Sequence, residues 1–296
     1  MDWRQFVMDL DALNPAIVER AFLQLGAASV TLTDAGDEPV LEPGPGETPL
    51  WSNTRITGLF PGDADLDAFA RELRATLGIE TLPEHRIEVL ENRAWEREWL
   101  RDFRPMQFGR RLWICPSGQA VGDKDAVVVR LDPGLAFGTG THVTTALCLE
   151  WLDGLDLDGC NVLDYGCGSG VLAIAALKLG CSAATAMDID PQALTATGEN
   201  ARNNAVADNL AIRAGAGEIS GHFDVVIANI LAGPLVEFAD SITSHVAEDG
   251  ILALSGVLCE QADEVLMTYE PWIDFEEPVF REQDGQKWSR LAGRKR

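Results

Sequence analysis

A chain of 296 residues, 46% hydrophobic and 24% charged, is long enough for two ordinary domains and apolar enough to bury a core. Its formal net charge of −24 argues against a phosphate-rich partner; such acidity commonly serves solubility alone, and the sharper reading is a basic partner drawn in by long-range attraction. No apolar run of about 18 residues spans a membrane, the start Met1-Asp2-Trp3-Arg4 lacks a secretory stretch, and the 6 cysteines form no C-x-x-C pair; a cytoplasmic protein without disulfides or bound metal is expected.

Residues 1–92 read as alternating strands and helices. Phe6, Met8 and Leu10 recur at every second position, as in a half-buried strand. Asn14-Pro15 supplies an N-cap and a first helical residue, Val18, Ala21, Phe22 and Leu25 follow at helical spacing, and Gly26 is the stop. Val30 and Leu32 mark a second strand, a Gly/Pro-rich loop covers 43–49, and a third strand is predicted over 55–60. Asp63 is expected to cap a second helix with the face Leu66, Phe69, Ala70, Leu73 and Leu77, ended by Gly78; the last strand falls at 86–90. The order βαββαβ predicts a ferredoxin-like α+β domain. No catalytic constellation is visible in it, so it reads as a binding or positioning module. Residues 93–126, charged and aromatic, read as a connector.

From 127 to 296 the pattern changes. Near-continuous apolar strands at 162–165, 183–188, 223–229 and 251–254 alternate with helical stretches, which predicts a parallel sheet covered on both faces. Asp284-Gly285, flanked by 278–281 and 287–291, signals a hairpin.

Four segments carry candidate chemistry. Asp164-Tyr165-Gly166-Cys167-Gly168-Ser169-Gly170 ends a strand and opens a helix, where glycines let the backbone turn sharply and approach a ligand. The NAD fingerprint would put its third glycine at Val171; the spacing here, with an acid two residues upstream, suits an S-adenosylmethionine loop better. Asp188-Ile189-Asp190-Pro191 lies at the next strand end, 22 residues beyond Gly166. Asp190 is read as the cap of the helix starting at Pro191, leaving Asp188 to bind ribose hydroxyls. Asn229, at the end of the strand 223–229, points into the crevice where ligands of such sheets bind. Gly138-Thr139-Gly140-Thr141-His142-Val143-Thr144-Thr145 precedes the core as a possible carboxylate cradle.

Together these segments resemble the bacterial methyltransferases that modify ribosomal protein eleven of the large subunit. The matching stretches are 42–51 (EPGPGETPLW), 95–99 (WEREW), 131–142 (LDPGLAFGTGTH), 164–170 (DYGCGSG), 188–191 (DIDP) and 229–235 (NILAGPL). The resemblance implies a Rossmann-like seven-stranded methyltransferase core over 127–296 and a substrate-gripping domain over 1–92. It also implies S-adenosylmethionine as cofactor, and methylation of lysine ε-amines and the N-terminal α-amine to the trimethyl state. By matching position, Thr145, Gly166, Asp188 and Asn229 would contact the cofactor, with Asp164, Gly168 and Gly170 supporting the loop. Asn229 is the candidate for positioning the amine. The alternatives are a nucleic-acid amino-methyltransferase and a non-catalytic nucleotide sensor. The residues after Asn229, Ile230, Leu231 and Ala232, include no aromatic to stack a base, so no nucleic-acid specificity is expected.

Overall fold

Residues 3–36, 51, 53–90, 104–131 and 142–296 are described by the computed structural model and fall into two units, Met1–Glu96 and Arg97–Arg296. The first contains β1 (Trp3–Asp9), α1 (Pro15–Gln24), β2 (Ser29–Asp34), β3 (Thr54–Pro61), α2 (Leu66–Leu77) and β4 (His85–Leu90). The strands form an antiparallel sheet of order β2-β3-β1-β4, the ferredoxin-like arrangement. Aromatic rings fill its core: Phe69 meets Phe6, Phe22 and Phe60 edge-on, with centroids 5.0, 5.0 and 4.5 Å away. Gly58 is what admits Phe22, since a Cβ there would stand 2.5 Å from the ring. Asn14 caps α1 as expected, but the cap of α2 is Asp65, not Asp63. Its carboxylate accepts from Ala68 N–H at 2.9 Å, and starting the helix at Leu66 puts Leu66, Phe69 and Leu73 on one buried face.

The second unit opens with a small sheet of order β5-β6-β7, made of β5 (Met106–Phe108), β6 (Leu112–Cys115) and β7 (Val127–Arg130). The stretch read as a connector, 93–126, is thus described from Arg104 onward, within this unit; Phe108, Leu112 and Ile114 belong to its core. There follow α3 (Val143–Asp153), β8 (Asn161–Tyr165), α4 (Val171–Leu179), β9 (Ala183–Met187), α5 (Pro191–Asn203), β10 (Leu210–Arg213), β11 (Phe223–Asn229), α6 (Ala232–Glu237) and α7 (Ala239–Ser244). The series ends with β12 (Val246–Leu258), α8 (Ala262–Tyr269), β13 (Ile273–Phe275), β14 (Val279–Gln283) and β15 (Gln286–Lys295).

The large sheet has the order β10-β9-β8-β11-β12-β15-β13, with β14 also paired to β15. β13 and β14 pair with successive parts of β15, so they are two pieces of one edge strand, divided around Pro278, and the sheet has seven strand positions. Strands β8 to β12 run parallel and β15 antiparallel to them. Apolar clusters lie on both faces, one around Val162, Ile174 and Ile227, the other around Leu163, Val226 and Tyr269, which is why the strands are apolar without alternation. At the hairpin joining β14 to β15, Asp284 (φ 52°) and Gly285 (φ 75°) supply the two left-handed residues a type I′ turn needs.

Candidate active site

In an open parallel sheet a ligand crevice forms where neighbouring strands send their connections to opposite faces. Here that point is the carboxyl end of β8 and β11: from β8 the chain proceeds outward through β9 and β10, then returns to β11 on the other side. The glycine loop leaves β8 at this point. Gly166 and Gly170 have φ of +79° and +76°, and a Cβ on Gly166 would come within 2.3 Å of Ile230 Cγ2. The glycines therefore let the loop lie against the segment that follows β11.

Asp164 is fully buried. Its Oδ2 accepts from Ala173 N–H at 3.1 Å, capping α4, whose own N-cap, Gly170, has no side chain to do so. Burial raises its carboxyl to about 7, against the pull of the Ala173 N–H, with a smaller push from Asp188. Asp188 follows β9 directly. Its Oδ2 accepts from Gly168 N–H (2.9 Å) and its Oδ1 from Asp190 N–H (3.0 Å), so the carboxylate is held against the loop. Asp190 caps α5 through Gln192 N–H at 2.8 Å, as read from the sequence. Ile189, between the two acids, is 84% exposed, a bare apolar surface at the crevice rim.

Asn229 ends β11. Its Nδ2 donates to Thr145 Oγ1 at 3.3 Å, and Thr145, in the first turn of α3, is wholly buried. This contact turns Asn229 Oδ1 the other way. Asn229 Oδ1 and Asp164 Oδ1 are both buried with no hydrogen-bond partner. Asn229 Oδ1 is an open acceptor, and Asp164 Oδ1, on the neighbouring strand, accepts when ionised and donates when it carries the proton that burial favours. Beside the Asp188 carboxylate they suit a ligand bearing N–H and O–H groups, whereas a pyrophosphate would call for a row of donors. The residues present fit a sulfonium nucleoside bearing an ammonium group.

The start of α3 is itself clasped. His142 Nδ1 accepts from Thr144 N–H at 3.4 Å and lies 2.7 Å from Thr144 Oγ1, and its ring meets the Trp288 indole edge-on at 4.9 Å. Val143 N–H donates to Gln283 Oε1 at 2.8 Å. Burial lowers the His142 imidazole below its usual range, against a nearby Asp284 that raises it. The glycines and threonines at 138–141 lie outside the described residues, as do nearly all of 42–51 and all of 95–99.

All seven loop, acid and amide positions singled out in the sequence fall in the second unit, at or next to the carboxyl ends of β8, β9 and β11 or in the first turns of α3 and α4. Sequence reasoning missed their braces. Thr197 Oγ1 donates to Gly168 O (3.0 Å) and Asn200 Nδ2 to Ser169 O (2.9 Å), both from α5. The signal was the spacing Thr197, Asn200, Asn204, a polar stripe on a helix face that should have been apolar. Gly256 (φ +86°), the extra residue of a bulge in β12, was also missed; a Cβ there would sit 2.2 Å from Ile230 O. An isolated glycine in an apolar strand was its signal. The 6 cysteines are free, and burial pushes the Cys148 and Cys181 thiols up to about 12, so neither is a nucleophile at neutral pH.

This sheet order, with a glycine loop after the first core strand and an acid after the second, defines a Rossmann-like methyltransferase that uses S-adenosylmethionine. The family model for ribosomal protein L11 methyltransferase (PrmA) matches residues 2–296. The chain is 51% identical to the ribosomal protein L11 methyltransferase of Methylococcus capsulatus over 295 residues, 99% of each chain. It is 52% identical to that of Actinobacillus pleuropneumoniae over 297 residues, the whole of both. A crystal structure of ribosomal protein L11 methylase from Lactobacillus delbrueckii subsp. bulgaricus, 32% identical, superposes with a TM-score of 0.59, covering 66% of this chain and all of that one. The chain belongs to the ribosomal protein L11 methyltransferase family.

Proposed function

We propose that this enzyme methylates lysine ε-amines and the N-terminal α-amine of ribosomal protein L11 to the trimethyl state, in the cytoplasm, with the 1–92 domain gripping the substrate. The observation that carries the reading is the pair of buried, unpartnered oxygens, Asp164 Oδ1 and Asn229 Oδ1, flanking a loop tied to Asp188. When bound, S-adenosylmethionine supplies a methyl group activated by a sulfonium for in-line displacement. Asp188 would hold the ribose hydroxyls, Ile189 would cover one face of the base, and Gly166, Gly168 and Gly170 would let the loop close on the ligand. Asp164 supports that loop, and Thr145 and Asn229 wall its far side.

Alignment of donor and acceptor can supply about 7–11 kcal/mol of such a barrier. The amine must also be neutral: for a lysine of pKa about 10.4 this costs roughly 4.6 kcal/mol at pH 7, and for an α-amine near 7.8 about 1 kcal/mol. No side chain at the site must act as base. Apolar surroundings such as Ile230 and Leu231 lower an amine's pKa, and Asn229 Oδ1 accepts one of its N–H bonds, aiming the lone pair. With no aromatic among Ile230, Leu231 and Ala232 and a charge of −24, the reading includes no nucleic-acid specificity.

Incubation with labelled S-adenosylmethionine and purified L11, followed by intact mass, should show product in steps of one methyl. Label entering RNA instead would sink the assignment. Asn229→Ala should lower turnover at least tenfold; unchanged turnover with unchanged cofactor affinity would remove Asn229 from the mechanism.

A further inference from the structure

The stretch EPGPGETPLW ends on Trp51, which belongs to the first unit and is not among the candidate cofactor contacts. In the first unit Trp51 lines a cavity of about 280 Å³ together with Leu10, Asp11, Leu13, Pro15 and Thr54. Cofactor sites run about 300–1,000 Å³, so this one suits a single long side chain. Resting on the function argued above, we propose that the cavity is a docking subsite for a cationic side chain, arginine or lysine, of the protein substrate.

The charge of the occupant follows from what lines the cavity. It borders the N-terminus of α1, a position that ordinarily attracts anions, but here the donors are already used. Pro15 has no N–H, and Asn14 Oδ1 accepts from Ala16 and Ile17 at 3.0 and 3.3 Å. Val18 N–H pairs with Asn14 O at 3.1 Å. The acidic groups, by contrast, exceed their partners. Asp11 is exposed and forms no ion pair among the described residues, while the nearby arginines are committed, Arg55 to Asp9 and Arg86 to Glu88, each at 2.5 Å. Over residues 1–96 there are 18 acidic side chains against 7 basic ones.

The half-buried Trp51 supplies an indole against which a cation is favoured, and Thr54 Oγ1 fixes its backbone by donating to Trp51 O at 2.7 Å. A basic ribosomal protein provides such cations; the catalytic crevice lies in the other unit, so this subsite acts on substrate capture and not on chemistry.

The test uses the full-length enzyme with L11, measuring KM and kcat alongside the Kd of S-adenosylmethionine by calorimetry. Asp11→Asn is the central variant, because Asp11 sits at φ +47° and asparagine tolerates that conformation. Asp11→Asn and Trp51→Leu should each raise KM for L11 about 3- to 30-fold, and Asp11→Lys further, with kcat and cofactor Kd within twofold of wild type. An unchanged KM in Asp11→Asn overturns the proposal, whether or not Trp51→Leu folds. If the wild type methylates no L11, the function reading has failed and the subsite is judged by calorimetry with a short arginine peptide. Weaker binding by Asp11→Asn than by wild type then supports it, and equal binding overturns it.

Discussion

Asp188 has both carboxylate oxygens engaged by backbone N–H groups, of Gly168 and Asp190, before any ligand arrives. An asparagine can reproduce one of these contacts but not both, because its amide nitrogen would face an N–H. Asp188→Asn should therefore weaken S-adenosylmethionine binding about 10- to 100-fold by calorimetry, by unseating the loop as well as losing the sugar contact. Asp164 gives a different signature. Burial lifts its carboxyl to about 7 from an unfolded value near 3.9. The native state thus holds a proton that the unfolded chain has released, and stability falls as pH rises from about 4 to about 7. Asp164→Asn keeps an acceptor for Ala173 N–H and does not titrate. Its Tm relative to wild type should rise by several degrees across that window; a difference that stays flat with pH would refute the assignment.

The sign reverses at His142. Its imidazole is depressed, so the stability it contributes is complete above about 6.5 and fades as pH falls toward the folded value. Thr144 N–H donates to Nδ1, and a proton placed there opposes it, while the Thr144 hydroxyl can turn to accept. The protection factor of the Thr144 amide, after correction for the intrinsic pH dependence of exchange, should fall in wild type as pH drops below the ordinary imidazole range and lose that dependence in His142→Asn, since asparagine also caps helices.

At the level of elements, the parallel strands were legible because burial on both faces writes itself as unbroken apolar runs, and 223–229 was bounded to the residue. The acid after β9 and the glycine loop were legible for a related reason: both depend on short-range geometry. What stayed hidden depends on partners distant in sequence. Asp63 and Asp65 are equally good caps by type, and the face Leu66, Phe69 and Leu73 suits either; the second is selected by where the helix starts once that face is packed against β1 and β3 residues such as Phe6 and Phe60. The bulge at Gly256 exists because β15 pairs across it, with Ser255 and Ser289 hydroxyls donating to Ser289 O (2.8 Å) and Val257 O (3.0 Å) where the ladder is broken. Gly256→Ala would drive a Cβ into a backbone carbonyl, which cannot rotate away as a side chain would. A loss of at least about 2 kcal/mol is expected from urea unfolding, with Ile230 and the adjoining Asn229 displaced.

Across the whole molecule, a net charge of −24 is expected to act on capture of a basic substrate rather than on methyl transfer. Exposed charges are largely screened beyond about 8 Å at physiological salt. The KM for L11 should therefore climb several-fold between low and moderately high salt, while kcat changes little; a salt response confined to kcat would place the electrostatics in the wrong step.

The sheet carries one further consequence. β15 lies between β12 and the divided edge strand, yet it is synthesised after both of its neighbours. The nascent chain thus has a gap in its sheet that only its last strand can fill, and the residues that steady α3, Gln283 and Trp288, flank or ride on that strand. Competence to bind the methyl donor should accordingly be among the last properties the folding polypeptide acquires, appearing when β15 has been inserted rather than when the glycine loop has been made.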